Sequence, residues 1–412
     1  METICPALME KIENRDIIIV GQQAWDTSIG SNCKNIALEF SKKNRVLYVN
    51  PPLDRITKYR EKADPKVKKR LEVISGITNG LVQINNMLYN LYPNCLIESI
   101  NWIKNDLLFD IFNEINNKRF GKSIIAAIIK LDFKNFILFN DNDIFRSFYL
   151  KEYLNPAISV YYSRDNMIAT AYWKRHGLVL EPKLIAKSHV CVANSEYLKN
   201  YCKEYNKNSF YVGQGCDVIA INDDLESAAR NEAIEALQLI GRPVIGYVGF
   251  LTASRLDINL LVHIAVTKPL WNIVLVGPED EAFETCSLHK LPNVHFLGSK
   301  QPVVLQFYIE LFDICINPQV LNDLTIGNYP RKIDEYLMLG KPTVATTTES
   351  MEVFKNHVSL ASTEVEFVDE IDALLINDND DKKRARIKFA SAHTWENSVQ
   401  EIYNRISEAL PL

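Results

Sequence analysis

One rhythm constrains this chain more than any other feature. Short apolar runs alternate with amphipathic stretches, and the pattern runs twice. "DIIIVG" (16–21) leads through a polar loop to "NCKNIALEFSKKN", where Ile36, Ala37 and Phe40 recur at helical spacing, and then to "RVLYVNPP" (45–52). That is a β-α-β unit, because apolar runs without alternation suit parallel strands covered on both faces. "NFILFND" (135–141), "AISVYYSRD" (157–165), "HVCVANS" (189–195) and "SFYVGQGCD" (209–217) continue it. "RPVIGYVGF" (242–250) restarts it, followed by "NIVLVGPED" (272–280), "NVHFLGSK" (293–300), "FDICINPQ" (312–319) and "PTVATT" (342–347). Such alternation predicts α/β architecture with doubly wound, Rossmann-like sheets, here two of them. The polar helical stretch 222–240 reads as the connection between them. The expected domains are therefore 1–225 and 240–389, facing across a cleft, a favoured place for ligands. "SIIAAIIKL" reads equally as a helix end or a strand. The halves share little sequence, so they are two similar folds and not a repeat family.

Bulk properties narrow the function. The chain has 412 residues, 47% apolar and 24% charged, enough for sizeable cores, and a net charge of −5 argues against wholesale nucleic-acid binding. No run approaches the ~20 apolar residues of a membrane span. The N-terminus has no basic start followed by a long apolar stretch, so no leader is expected. The eight cysteines form no C-x-x-C pair, and Cys33, Cys191 and Cys315 sit among apolar or small residues. Buried free thiols in a reducing cytoplasm are the expectation. "RITKYREKADPKVKKR" (55–70) holds eight basic and two acidic residues. It is either a solvated face or a patch for anionic lipid head groups, on the inner face of a membrane. The following "ISGITNGLVQINNMLYNLYP" is either core or the wall of an acceptor pocket.

No G-x-G-x-x-G follows the first strand, which weighs against a nicotinamide or flavin enzyme. Walker A, H-E-x-x-H and G-x-S-x-G motifs are absent, and the seven histidines form no metal-ligand spacing. What remains are the loops at strand ends in the second half, where open α/β sheets bind ligands. They are "GFLTASRLD" with Gly249, "VGPED" with Gly277, "LGSK", and "PQVLNDLTIGNYPRK". In the last, Gly327 and Asn328 permit unusual backbone angles, and Pro330 suits a first helical turn. Free amides at that helix start suit a phosphate, with Arg331 or Lys332 adding charge. Glu335 reaches back toward the same place and would serve a neutral diol. The plain alternative is an i,i+4 pair between Arg331 and Glu335, worth ~0.2–0.5 kcal/mol on any surface helix.

"YPRKIDEYLMLGKPTVATT" resembles the donor-site segment of the GT-B glycosyltransferases, the large family-4 type in particular. "IGYVGFLTASRLDINLL", "WNIVLVGP", "LPNVHFLGS" and "FDICINP" match that family's C-terminal domain in order. In the first half, "DIIIVGQQAWDTSIGSNCKNIALEFSKKNRVLYVNPP", "VYYSRD", "CVANSEYLKNYC" and "YVGQGCD" resemble the branch that builds bacterial surface polysaccharides, including teichuronic acid enzymes. "SAHTWENSVQEIYNRI" is similar to that branch's closing helix, so 390–412 is expected to cross back onto the first domain. The resemblance implies that Glu335 holds the ribose hydroxyls of a nucleotide and that the amides of Ile326, Gly327 and Asn328 bind its diphosphate. Arg255 falls where a basic residue meets the phosphates, with Lys332 as further charge. Leu297, Gly298 and Ser299 match the segment beside the base. Asp165 or Asp26 would face the transferred sugar or the acceptor, with Trp25 and Gly21 on the acceptor side.

There are departures. Gly327 stands where the family's Glu-x7-Glu motif has its first glutamate, Gln214 replaces the usual Asn, and Arg255 aligns with a one-residue shift. The implied reaction transfers a sugar from a nucleotide sugar to a hydroxyl of a glycan or lipid-linked glycan, with retention and without metal or other cofactor. Asp165 is the first choice for a general base and Asp26 the second; either could equally close a turn. Two rivals remain: an epimerase or hydrolase of the same fold, and a nonenzymatic nucleotide-sugar-binding partner of a glycan-assembly complex.

Overall fold

The computed structural model describes residues 12–27, 31–216 and 223–409. The chain divides into two compact units, one of residues 1–213 with 395–412 and one of residues 214–394.

In the first unit, the strands are β1 (Asp16–Gly21), β2 (Arg45–Val49), β3 (Leu53–Asp54), β4 (Leu81–Gln83), β5 (Leu88–Leu91), β6 (Leu96–Ile97), β7 (Ile137–Asp141), β8 (Ile158–Ser163), β9 (Val190–Ala193) and β10 (Ser209–Tyr211). The helices are α1 (Asn32–Phe40), α2 (Arg55–Arg60), α3 (Pro65–Ile74), α4 (Asp106–Leu131), α5 (Leu150–Leu154), α6 (Ala171–Lys187) and α7 (Glu196–Tyr205). Eight strands form one sheet in the order β10-β9-β8-β7-β1-β2-β5-β4, parallel except for β4. Both faces are covered, as the unbroken apolar runs require. Ile17 and Ile19 of β1 point into one core, and Ile18 and Val20 into another. "SIIAAIIKL" lies within α4, and the stretch 75–93 supplies the β4–β5 hairpin edge.

The second unit contains α8 (Asp223–Leu237), α9 (Ile258–Thr267), α10 (Glu281–Glu284), α11 (Leu305–Leu311), α12 (Arg331–Met338), α13 (Glu364–Asn377) and α14 (Asp380–Ala390). Its strands are β11 (Val244–Val248), β12 (Asn272–Val276), β13 (Val294–Phe296), β14 (Ile314–Asn317), β15 (Thr343–Thr346) and β16 (Ser359–Ala361), all parallel in the order β13-β12-β11-β14-β15-β16. The helix read as an interdomain connection, α8, instead buries Ala229, Ala233 and Leu237 in this unit's core, so the unit begins near residue 214 and not 240. The final helix, α15 (Trp395–Ala409), belongs to the first unit and packs Ile402, Tyr403 and Ile406 into its core beside Phe40.

Each sheet has a point where its winding reverses. In the first unit it lies between β1 and β7, and in the second between β11 and β14. Loops leaving the strand ends at such points are where doubly wound sheets hold ligands. Among the described residues no helix is long and apolar enough to cross a membrane, and the cysteines form no disulfide. The loop 28–30 and Asp217 lie outside the described residues.

Candidate functional site

In the second unit the strand ends are sewn together by backbone. Gly249 follows β11 with φ +138° and donates its N–H to the carbonyl of Val276, at 2.9 Å. Gly277 follows β12 with φ +153° and donates to the carbonyl of Gly298, also at 2.9 Å. A side chain at 277 would place its Cβ 1.8 Å from the Gly249 oxygen, so this seam admits only glycine. Leu297 is half-buried, whereas Gly298 and Ser299 are exposed at the end of the seam.

Over the seam lies Lys332, from the first turn of α12. Its Nζ sits 3.8 Å from the centre of the Tyr247 ring and bonds the Tyr247 hydroxyl, and a Cβ at Gly249 would stand 3.0 Å from it. Part of the side chain meets solvent, yet burial of the ammonium dominates its titration. Burial, aided by the charge of Arg255 and opposed by Glu335, pushes the Lys332 ammonium down to about 7. Arg255 is exposed on the loop after β11 and makes no ion pair among the described residues. That loop is held by bonds from Val320 N–H to the Arg255 carbonyl (2.9 Å) and from Asn322 Nδ2 to the Ser254 carbonyl (2.9 Å). The two loops at the reversal point are thereby fastened to each other.

Glu335 lies one turn along α12. Arg331 Nε approaches its Oε1 to 3.3 Å, but off the hydrogen-bond angle, so Nε has no proper acceptor. Burial raises the Glu335 carboxyl above its ordinary range against the charges of Arg331 and Lys332. The i,i+4 contact of the plain reading therefore exists, without a hydrogen bond from Nε, and the Glu335 side chain stays 33% exposed.

One expectation needs correction. The amides of Ile326 and Asn328 are already used within their loop, donating to the carbonyls of Asn322 (3.0 Å) and Thr325 (3.2 Å). They are turn bonds, organised by Thr325, whose hydroxyl bonds the Val320 carbonyl. The loop as it stands does not offer them to a diphosphate.

The helix itself is anchored by residues the sequence did not single out. Asp334 is fully buried, accepting from the Tyr329 hydroxyl at 2.7 Å and meeting His393 Nδ1 at 2.6 Å. Burial raises its carboxyl despite both bonds. At the other end, buried Arg386 donates to the carbonyl of Gly340 (3.0 and 2.8 Å) and pairs with Asp378, capping α12 with positive charge. An aspartate and a histidine 59 positions apart carry no local signal, which is why pattern reading passes over them.

In the first unit, Gly21 and Asp141 end the strands at the reversal point. Asp141 is fully buried, accepts from Arg164 Nε at 2.7 Å, and keeps Oδ2 without a hydrogen bond, 3.0 Å from where a Gly21 Cβ would be. Burial raises its carboxyl, with Arg164 opposing. Arg164 also holds Asp165, which remains partly exposed. Asp26 is different: Arg70 grips it through two bonds of 2.9 and 3.1 Å. Burial would push Asp26 up, but the bonds and charge of Arg70 outweigh it and hold the carboxyl below its ordinary value. That makes Asp26 a poor base. Trp25 rests edge-on against Tyr48, with ring centres 5.1 Å apart, and its backbone N–H bonds Asn50, so it is half core.

Comparison with known proteins bears on the second unit first. Residues 242–377 match the family described as Glycosyl transferases group 1. A curated relative, the putative teichuronic acid biosynthesis glycosyltransferase TuaH of Bacillus subtilis (strain 168), is 29% identical over 177 residues, 41% of this chain. The match covers 43% of that relative, less than half its length. Among solved structures, Anabaena HepE in complex with UDP superposes with a TM-score of 0.64 at 13% identity, covering 96% of this chain and 100% of that one. Sucrose-phosphate synthase from Thermosynechococcus elongatus gives 0.62 at 13%, covering 94% and 97%. The chain has the GT-B fold, and its residues 242–377 match the glycosyl transferases group 1 family.

Proposed function

We propose that this protein is a glycosyltransferase that moves a sugar from a nucleotide-sugar donor to a hydroxyl of a glycan or lipid-linked glycan, in bacterial surface-polysaccharide synthesis. The observation that carries this reading is the gathering of Lys332, Arg255 and Glu335 over the Gly249–Gly277–Gly298 seam at the reversal point of the second unit. Two cations suit a departing diphosphate, and a half-buried carboxylate suits a pair of ribose hydroxyls. TuaH and HepE support it, the one described as a putative teichuronic acid biosynthesis glycosyltransferase and the other solved in complex with UDP. In this reading the cations replace a metal, transfer proceeds with retention, and no cofactor is needed. Asp165 is the acceptor-side carboxylate, Arg164, itself paired with Asp141, holds it, and Asp26 serves structure. The reading includes peripheral contact of 55–70 with an anionic membrane.

The test is release of nucleoside diphosphate from a panel of nucleotide sugars, with and without a lipid-linked glycan. Glu335→Ala is expected to lower turnover at least about tenfold, equivalent to one lost charge-assisted bond pair, while circular dichroism stays unchanged. Unchanged turnover would remove Glu335 from the donor site. Binding of nucleotide sugar without release under any pairing would leave a binding module, and release without acceptor a hydrolase or epimerase.

A further inference from the structure

The turn that carries Asp165 is held by a buried line of side chains that has one direction. Asn142 follows Asp141 at the end of β7, fully buried, with φ +55°. Its Oδ1 accepts from two successive backbone amides, those of Arg164 and Asp165, each at 3.0 Å. Its Nδ2 donates to the Tyr161 hydroxyl at 2.9 Å, and that hydroxyl donates to Glu181 Oε1 at 2.6 Å. Tyr201 of α7 donates to the other Glu181 oxygen, at 3.4 Å. The line therefore runs from Glu181 in α6, through Tyr161 in β8, to the end of β7.

The order of donors and acceptors follows from chemistry. A hydroxyl has one proton to give, and a carboxylate only accepts. Tyr161 gives its proton to Glu181 and so takes one from Asn142. That turns the Asn142 oxygen toward residues 164 and 165, the orientation their two amides require. The Asn142 carbonyl also accepts from Gln22 Nε2 at 3.1 Å. Asparagine tolerates the left-handed backbone better than most side chains, and here the surroundings hold it there.

Glu181 is 2% exposed, and among the described residues it is paired with no cation. Burial pushes its carboxyl up to about 7, against the two tyrosine bonds. A buried carboxylate without a counter-charge costs stability, so the core gains nothing from its charge. What it supplies is the direction of the line. The Asp165 carboxylate itself is gripped by Arg164, which Asp141 holds in turn, but its side chain stays 38% exposed. Asn142 acts on the backbone, which sets where that carboxylate starts.

We propose that Glu181 and Tyr161 are positioning residues, acting through Asn142 to fix the turn at Arg164 and Asp165 and so the place where the Asp165 carboxylate is presented. The proposal rests on the reading of Asp165 as the acceptor-side carboxylate and adds what holds its backbone.

Tyr161→Phe keeps the ring and removes the link, leaving Asn142 Nδ2 without its acceptor. Hydrogen exchange followed by mass spectrometry on the full chain, at pH ~8 where Glu181 is ionised, is expected to show the amides of Arg164 and Asp165 exchanging at least about tenfold faster, with α15 and the second unit unchanged. The Glu181 variants read the same line without touching Tyr161. Glu181→Gln keeps an acceptor oxygen for Tyr161 and is expected to exchange as the wild type does, whereas Glu181→Leu is expected to match Tyr161→Phe. In nucleoside diphosphate release with a lipid-linked glycan, Tyr161→Phe is expected to lower kcat about tenfold with KM for the nucleotide sugar unchanged, and to cost nothing further in an Asp165→Asn background. Wild-type exchange in Tyr161→Phe, or losses that add in the double variant, would overturn the proposal. Faster exchange beside unchanged turnover in Asp165→Asn would uphold the line and sink the acceptor-side reading of Asp165.

Discussion

Lys332 is the residue whose charge the site sets. Unfolded, a lysine ammonium titrates near 10.4; here burial brings it to about 7. Above that value the folded, unliganded protein has lost the proton, and a bound diphosphate favours its return. Binding is then linked to proton uptake, and the contribution of Lys332 to affinity falls as pH rises through about 7. Titration calorimetry with uridine diphosphate near pH ~8, in two buffers of different ionisation enthalpy, is expected to show uptake approaching ~1 proton. Lys332→Met should abolish that uptake. Equal heats in both buffers for the wild type would mean the lysine stays charged throughout. Glu335 differs in kind, since its raised carboxyl is held by both neighbouring cations and remains the nearest anion to them.

At the scale of elements, the Gly249–Gly277 contact decides whether β11 and β12 can deliver their loops to one place. Gly277→Ala would put Cβ 1.8 Å from a carbonyl oxygen, at a backbone angle few side chains adopt. The expected cost is roughly 3 kcal/mol or more in urea unfolding. Gly298→Ala is the control: nothing lies within 4 Å of its Cβ, and only the positive φ is strained, costing about 1 kcal/mol. Equal midpoints for the two variants would show that the seam yields. The start of α12 was legible because proline, the basic pair and the terminal glycine are neighbours in sequence. The engagement of the Ile326 and Asn328 amides was not, because it depends on how Thr325 and Asn322 close their turn. In α4 burial is decided by tertiary partners, since asparagines that pair with distant backbone are buried while leucines stay exposed.

At the scale of the molecule, the return of α15 to the first unit ties the chain's end to its beginning. Trp395, Val399, Ile402, Tyr403 and Ile406 are all buried in that unit's core. At ~1.5–3 kcal/mol for each buried apolar side chain, their loss exceeds the margin of a typical domain. A chain ending at Thr394 is expected to lose the first unit's protection in limited proteolysis while residues 214–394 resist. Uniform resistance would show α15 to be dispensable. The strands were readable because a parallel strand buried on both faces must be apolar throughout, and that needs no partner to be recognised. The sequence by itself determined the two wound sheets and the helix that carries Lys332 and Glu335, since each follows from residues a few positions apart. Only the tertiary structure decided that Arg70 neutralises Asp26, that His393 fastens Asp334, and that the apolar row of α4 faces outward. Those outcomes depend on which distant group a buried polar atom meets, and burial makes such meetings obligatory without local sequence recording them.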